Sequence, residues 1–88
     1  MIDVLQAISE SSRYKIIQLL AQKSLCVCEI AQKLQLPQNL VSHHLAVLKK
    51  ANIIENCRCG KNNYYSLNHK TIRDLINTLS KLGGQNEN

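Results

Sequence analysis

The four cysteines of this sequence form two pairs, Cys26 with Cys28 and Cys57 with Cys59, and a single residue separates the members of each pair. Thiolates are soft ligands, so two that converge select ions such as As(III), Sb(III), Cd(II), Pb(II) or Cu(I) and disfavour Mg(II) and Ca(II). Residues i and i+2 diverge on a regular helix but share a face on an extended strand. For Cys26 and Cys28 to bind one ion together, they must therefore lie where a strand becomes a helix.

The start of the chain and its apolar runs indicate the compartment in which the cysteines lie. The chain begins without a basic and apolar leader, and no run of about 18 apolar residues occurs in it. We therefore expect a cytoplasmic protein without a membrane span. In that setting, paired cysteines indicate metal binding or redox chemistry rather than disulfides.

Length and charge favour a small binding module. The 88 residues allow one domain with a single core. Eleven basic and six acidic residues, spread along the chain, give a net charge of +5. A folded domain with a positive surface has nucleic acid as its natural partner.

Apolar spacing predicts a mainly α-helical domain with one β-hairpin. A serine-rich segment at positions 9–12 divides the first helical region, and Pro37 suits the first turn of a helix. The predicted elements are two helices between residues 3 and 21, helices over 28–36, from Pro37 onward and over 69–82, and strands over 53–59 and 64–67. This order predicts a winged helix-turn-helix domain over residues 1–84, with about five helices and a two-stranded wing. Gly83 and Gly84 are expected to end the last helix, and residues 85–88 to form a disordered tail.

The helix that follows Pro37 is the candidate for recognising DNA. In a winged helix-turn-helix, the second helix of the motif enters the major groove. This helix is apolar on one face and carries hydrogen-bonding side chains on the other. The wing tip is basic, and we expect it to lie along a phosphate backbone. The candidate contacts, some to bases and some to phosphates, are Gln38, Asn39, Ser42 and His43 on the helix and Arg58, Lys61 and Asn62 in the wing.

Several segments together resemble the ArsR/SmtB family of metal-responsive repressors. They are LCVCEIA at positions 25–31, VSHHLAVL at 41–48, and Gly60-Lys61 before YSL at 65–67, and the resemblance covers about residues 4–82. It implies a homodimer, joined through its first and last helices, that represses a detoxification operon. A thiophilic ion at Cys26 and Cys28 would release it from its double-stranded DNA operator. The resemblance also implies that His44 packs inward while His43 faces DNA.

The sequence departs from the family at the ion site. The arsenic sensors have a third cysteine where this chain has Ala31, and the cadmium and lead sensors use cysteines from an N-terminal extension, whereas none precedes Cys26 here. The zinc sensors repeat histidine and acidic ligands on the last helix, where this chain has only His69 and Asp74. The third ligand stays open, and a zinc site on the last helix is not expected.

Cys57 and Cys59 lie outside the family pattern. On a strand they share one face, and three interpretations stay open. They complete the Cys26/Cys28 site, bind a separate ion, or are incidental surface thiols.

Two other classes of function compete with a metal-released repressor. One is a regulator of the same fold in which the cysteine pairs oxidise and thereby alter DNA affinity. The other is a thiol enzyme. The sequence argues against an enzyme, because it lacks a Cys-x-x-Cys motif and a combined nucleophile, base and orienting acid.

Overall fold

The computed structural model describes residues 2–86, and side chains over residues 4–82. Within that part, five helices and three strands form a winged helix-turn-helix, as predicted. The elements are α1 (Ile2–Ile8), α2 (Ser11–Leu20), β1 (Leu25–Cys26), α3 (Val27–Leu34), α4 (Gln38–Lys50), β2 (Ile54–Cys59), β3 (Asn62–Leu67) and α5 (His69–Asn86). Helices α3 and α4 are the helix-turn-helix, and β2 and β3 are the wing. No helix among the described residues combines the length and apolarity that a membrane span requires.

A carboxylate caps the helix that follows the serine-rich break. Glu10 has extended backbone, and its Oε1 atom accepts the amide hydrogen of Ser12 at 2.6 Å. That hydrogen bond lowers the pKa of Glu10. An ionised side chain at this position also interacts favourably with the positive end of the helix dipole. The predicted break is confirmed, although the capping group is Glu10 rather than a serine.

The core is built from one face of each helix and from the base of the wing. On α4, Val41 and Leu48 are fully buried and Leu45 is almost so, which confirms the apolar face predicted for this helix. Ile16 of α2 and Ile30 of α3 are likewise fully buried. Each such side chain contributes about 1.5–3 kcal/mol through removal from water. This packing fixes α4 with its polar face outward.

A left-handed residue closes the turn between α3 and α4. Gln35 has φ 57° and ψ 46°, and the amide of Leu36 donates to the carbonyl of Ala31 at 3.0 Å. This closure satisfies a carbonyl at the end of α3. Pro37 then caps α4, and its carbonyl accepts the amide hydrogens of Leu40 and Val41.

Strand β3 is the centre of a three-stranded antiparallel sheet in the order β1-β3-β2. Cys59 pairs with Asn62 at the wing tip, where Gly60 has φ 64° and so makes the turn without a Cβ penalty. On the other side of β3, Leu25 pairs with Tyr65 and Cys26 with Tyr64. The predicted two-stranded wing therefore gains a third strand, because the segment before α3 joins its edge.

Helix α5 continues past the glycine pair. It extends through Gly83 and Gly84 to Asn86, so the prediction that these glycines end the helix at Leu82 is wrong. Glycine lowers helix stability by only about 1 kcal/mol per residue and keeps its amide donor, so it does not by itself stop a helix. A disordered tail was predicted for residues 85–88. Residues 85 and 86 belong to this helix, and residues 87 and 88 lie outside the described part. The molecule is elongated, with extents of 51 × 24 × 21 Å.

Candidate metal centre and nucleic-acid interface

Cys26 and Cys28 converge at the junction between β1 and α3. Cys26 ends the strand and caps the helix, with φ −89° and ψ 168°, while Cys28 lies in the first helical turn. Their Sγ atoms are 3.1 Å apart. Cys26 is half-buried and Cys28 is exposed, so an ion has access to both. The structure thus has the strand-to-helix geometry that the sequence required for a two-sulfur clamp.

Local hydrogen bonds hold this junction in place. The amide of Cys26 donates to the Oε1 atom of Glu29 at 3.1 Å, and this bond lowers the pKa of Glu29. Glu29 thereby satisfies one of the amide groups that the start of a helix leaves without a partner. The hydrogen bond between the two sulfurs raises the pKa of the Cys26 thiol. An arriving ion therefore has to displace a proton that the pair retains.

Among residues 4–82, neither cysteine pair gains a third candidate metal ligand. Over the residues whose side chains are described, no three His, Cys, Asp or Glu groups converge on a point that suits a metal ion. Ala31, at the position of the third cysteine of the arsenic sensors, is buried in the core. Cys26 and Cys28 consequently offer an ion two sulfur ligands and leave its other coordination positions unfilled by described side chains.

Strand β3 separates the wing cysteines from the helix cysteines. Tyr64 pairs with Cys26 on one side and with Cys57 on the other. Since adjacent strands lie about 4.8 Å apart, the backbones of Cys26 and Cys57 are about 10 Å apart. Cys57 and Cys59 are both exposed. The structure does not bring the four cysteines together.

A cleft of about 280 Å³ connects the thiol pair to the elements predicted to contact DNA. It lies where β3 extends beyond the two residues of β1, so that Asn62 and Asn63 have no strand on that side. The buried Oδ1 atom of Asn63 has no hydrogen-bond partner among the described residues. The lining residues are Cys26, Val27, Cys28, Ser42, Lys61, Asn62, Asn63 and Tyr65. The cleft is therefore lined by both cysteines and by three of the seven candidate DNA contacts.

The candidate DNA contacts form one solvent-facing surface on α4 and another at the wing tip. All seven, Gln38, Asn39, Ser42, His43, Arg58, Lys61 and Asn62, are exposed. The side-chain oxygen of Asn39 accepts the amide hydrogen of Leu40 at 3.0 Å, which leaves its NH₂ group to donate. Helix α4 contains no acidic residue and ends in Lys49 and Lys50. A surface of this charge complements a phosphate backbone.

His44 ties α4 to the break between α1 and α2. Its buried ring lies with Nε2 3.4 Å from Oε2 of Glu10 and Nδ1 3.4 Å from the guanidinium of Arg13. Arg13 in turn donates to the carbonyl of Ala7 at 2.7 Å. A neutral imidazole satisfies both partners, with Nε2–H donating and Nδ1 accepting. His44 packs inward and His43 is exposed, as the resemblance implied; sequence reasoning missed Glu10 and Arg13 as its partners.

Two packed helices, a polar outer face on the second and a basic two-stranded wing define a winged helix-turn-helix DNA-binding regulator. Comparison with known families identifies which regulators of this class the chain is related to. Residues 10–56 match the family described as "Bacterial regulatory protein, arsR family". The chain belongs to the arsR family. Members of this family are transcriptional regulators rather than enzymes.

Two curated relatives and one solved structure illustrate the similarity. The arsenical resistance operon repressor of Staphylococcus aureus is 31% identical over 96% of this chain and 81% of its own length. The transcriptional repressor SdpR of Bacillus subtilis is 35% identical over 98% of this chain and 96% of its own. The homodimeric winged helix-turn-helix domain of Mb0332 from Mycobacterium bovis superposes with a TM-score of 0.77 at 25% identity, over 96% of this chain and 78% of that one. The chain is thus a DNA-binding transcriptional repressor.

Proposed function

We propose that this repressor leaves its operator when a thiophilic ion binds Cys26 and Cys28. The observation that carries the proposal is the 3.1 Å separation of the two sulfurs at the start of the helix that precedes α4. The inducer belongs to the set As(III), Sb(III), Cd(II), Pb(II) and Cu(I), which thiolates select. Because the target is operator DNA, we place the protein in the cytoplasm.

The spacing of the sulfurs favours some of these ions over others. With metal–sulfur bonds of about 2.3 Å, the length found for zinc thiolates, two sulfurs 3.1 Å apart subtend an angle of about 85° at the ion, and longer bonds make that angle smaller. Such an angle suits pyramidal ions that carry a lone pair, such as As(III), Sb(III) and Pb(II). A tetrahedral Cd(II) or a linear Cu(I) requires the sulfurs to move apart. The third ligand of a pyramidal ion comes from a partner subunit or from a small molecule such as hydroxide or a thiol.

Release from DNA follows from the position of the pair. Ion binding replaces the hydrogen bond between the sulfurs with two metal–sulfur bonds and so shifts the first turn of α3. This turn borders the cleft that also contains Ser42, Lys61 and Asn62. A shift there changes the distance between the wing tip and α4, and both must fit the DNA together.

The operator-binding unit in this proposal is a homodimer joined through α1 and α5. Four apolar side chains of these helices leave 46–55% of their surface exposed: Leu5, Ile76, Leu79 and Leu82. On α5 they recur every three residues, which places them along one face that can pack against another helix. Two copies related by a twofold axis would read two half-sites of an operator.

A second candidate function, a thiol redox switch, rests on the same sulfur separation. Two thiols this close can form a disulfide by giving two protons and two electrons to an oxidant such as a peroxide. A redox switch responds to oxidant and recovers with reductant, whereas ion release works under strict reduction and reverses with excess dithiol.

The test is fluorescence anisotropy of the reduced protein on DNA from upstream of its own gene. As(III), Cd(II), Cu(I) and Zn(II) are titrated against the wild type, Cys26→Ser/Cys28→Ser and the matched control Ser24→Ala. We expect a soft ion to release the wild type and the control but not the double variant. Tight DNA binding that no ion reverses would contradict the proposal, and oxidant would then be titrated.

A further inference from the structure

We propose that Cys57 and Cys59 form a second, independent ion site on the wing. It suits a soft cation with linear two-coordinate geometry, such as Cu(I). This site lies beyond the proposed function, which concerns only Cys26 and Cys28. It needs no other side chain, because two thiolates complete the coordination of such an ion.

Strand alternation gives both wing thiols the same outward face. Ile54 is buried and begins β2 on the core side, and Leu67, its partner across the hairpin, is buried as well. Side chains alternate along a strand, so Cys57 and Cys59 lie on the face opposite Ile54. Both are exposed, and an ion reaches them from solvent.

The spacing of the wing pair suits a linear ion, in contrast to the helix pair. Residues two apart on a strand are about 6.7 Å apart along the chain. A linear arrangement with metal–sulfur bonds of about 2.3 Å holds two sulfurs about 4.6 Å apart, and the two Cβ–Sγ bonds span the difference by tilting toward each other. A disulfide within this pair is disfavoured, because it needs Cβ atoms only about 3.5–4.5 Å apart.

The two pairs act as separate sites because β3 lies between them. Tyr64 is paired with Cys26 on one neighbouring strand and with Cys57 on the other, so it lies between the two cysteines across the sheet. Cys59 lies still farther along the wing, opposite Asn62. No group of three metal-binding side chains forms within residues 4–82, so neither pair borrows a sulfur from the other in this structure.

Binding at the wing balances without a redox step. Two neutral thiols and one Cu(I) give a bis-thiolate complex with a net charge of −1, and two protons go to solvent. The copper stays Cu(I) throughout; the two S–H bonds break, and the ion leaves the solvent or chelator ligands that delivered it.

The experiment uses the full chain without the helix pair, so that its outcome is independent of the proposed function. Cys26→Ser/Cys28→Ser is titrated anaerobically with Cu(I) in competition with a chromogenic Cu(I) chelator, beside the variant that also carries Cys57→Ser/Cys59→Ser. Native mass spectrometry counts ions per chain, and X-ray absorption counts sulfurs per ion. Circular dichroism checks that each variant is folded.

We expect one Cu(I) per chain with two sulfur neighbours in the first protein, and none in the second. Equal retention by both proteins would overturn the proposal. So would three sulfurs per ion or one ion shared between two chains, because either result means that the wing pair is not a complete site. The wing cysteines are exposed, so their replacement leaves the core intact and the comparison interpretable.

Discussion

The Nε2 atom of His44 on α4 lies 3.4 Å from the Oε2 atom of Glu10, the residue that caps α2. This contact orients α4 against the N-terminal helices. We expect His44→Ala to lower the free energy of unfolding by about 1–3 kcal/mol, because Glu10 and Arg13 each lose a buried partner. DNA affinity falls with it.

The neighbouring histidine supplies the matched control. His43 is exposed, so His43→Ala should leave the melting temperature unchanged and lower only DNA affinity. Thermal unfolding and anisotropy measured on both variants separate the two roles. An unchanged melting temperature in His44→Ala would contradict the structural role assigned to that ring.

Glu29 should make the stability of the α3 start depend on acid pH. The hydrogen bond from the Cys26 amide lowers the pKa of Glu29 in the folded chain, so its stabilisation is present above the ordinary glutamate pKa of about 4.3 and is lost as pH falls through the lowered folded value. We expect Glu29→Gln to melt below the wild type at neutral pH, and the difference to shrink as the solution is acidified. Asn56→Ala, at an exposed position of β2, removes no titratable group and is the control, so its melting difference should not change with pH. A melting difference that stays constant with pH would refute this linkage.

Charges placed on the exposed face of α5 should separate the subunits. Ile76→Glu/Leu79→Glu puts two carboxylates on the apolar face that we assign to the homodimer, and we expect a monomer by analytical ultracentrifugation. A dimer binds both half-sites of the operator at once, whereas each monomer binds only one. Operator affinity should therefore fall by about 100-fold or more. Tyr14→Glu, at an equally exposed position on α2, should stay dimeric. A double variant that still sediments as a dimer would move the interface elsewhere.

An ion on the wing should weaken its contact with phosphate. A bound Cu(I) adds one negative charge to the wing that carries Arg58 and Lys61, so the wing neutralises about one phosphate fewer. We expect the slope of log affinity against log salt to become shallower by about 0.9 when Cu(I) is added to Cys26→Ser/Cys28→Ser. The variant without any of the four cysteines should keep its slope, and an unchanged slope in the copper-loaded protein would show that the charge does not act on DNA.

Local patterns predicted the features that depend on nearby residues. The Cys-x-Cys spacing required a strand-to-helix junction, because only such a junction turns both side chains to one side, and Cys26 lies at that point. The apolar spacing of Val41, Leu45 and Leu48 predicted which face of α4 is buried. Both inferences rest on helix and strand geometry, which acts over a few residues.

Contacts between distant residues could not be predicted in the same way. The pairing of Cys26 with Tyr64 and the contact of His44 with Arg13 each join residues more than 30 positions apart, and neither leaves a periodic signal. Asn63, whose buried oxygen borders the cleft, lies between the two predicted strands, where the sequence carries no signal of burial. At Gly83 and Gly84 the local preference predicts a helix end, but the helix continues to Asn86.

The central position of β3 also gives the protein an optical property. The chain has three tyrosines and no tryptophan, so its ultraviolet emission comes from tyrosine alone. Tyr64 and Tyr65 lie on β3, and the backbone of Tyr64 pairs with a cysteine of each thiol pair. We expect a heavy ion bound at either pair to quench that emission, so that unlabelled protein would report its own loading in a cuvette.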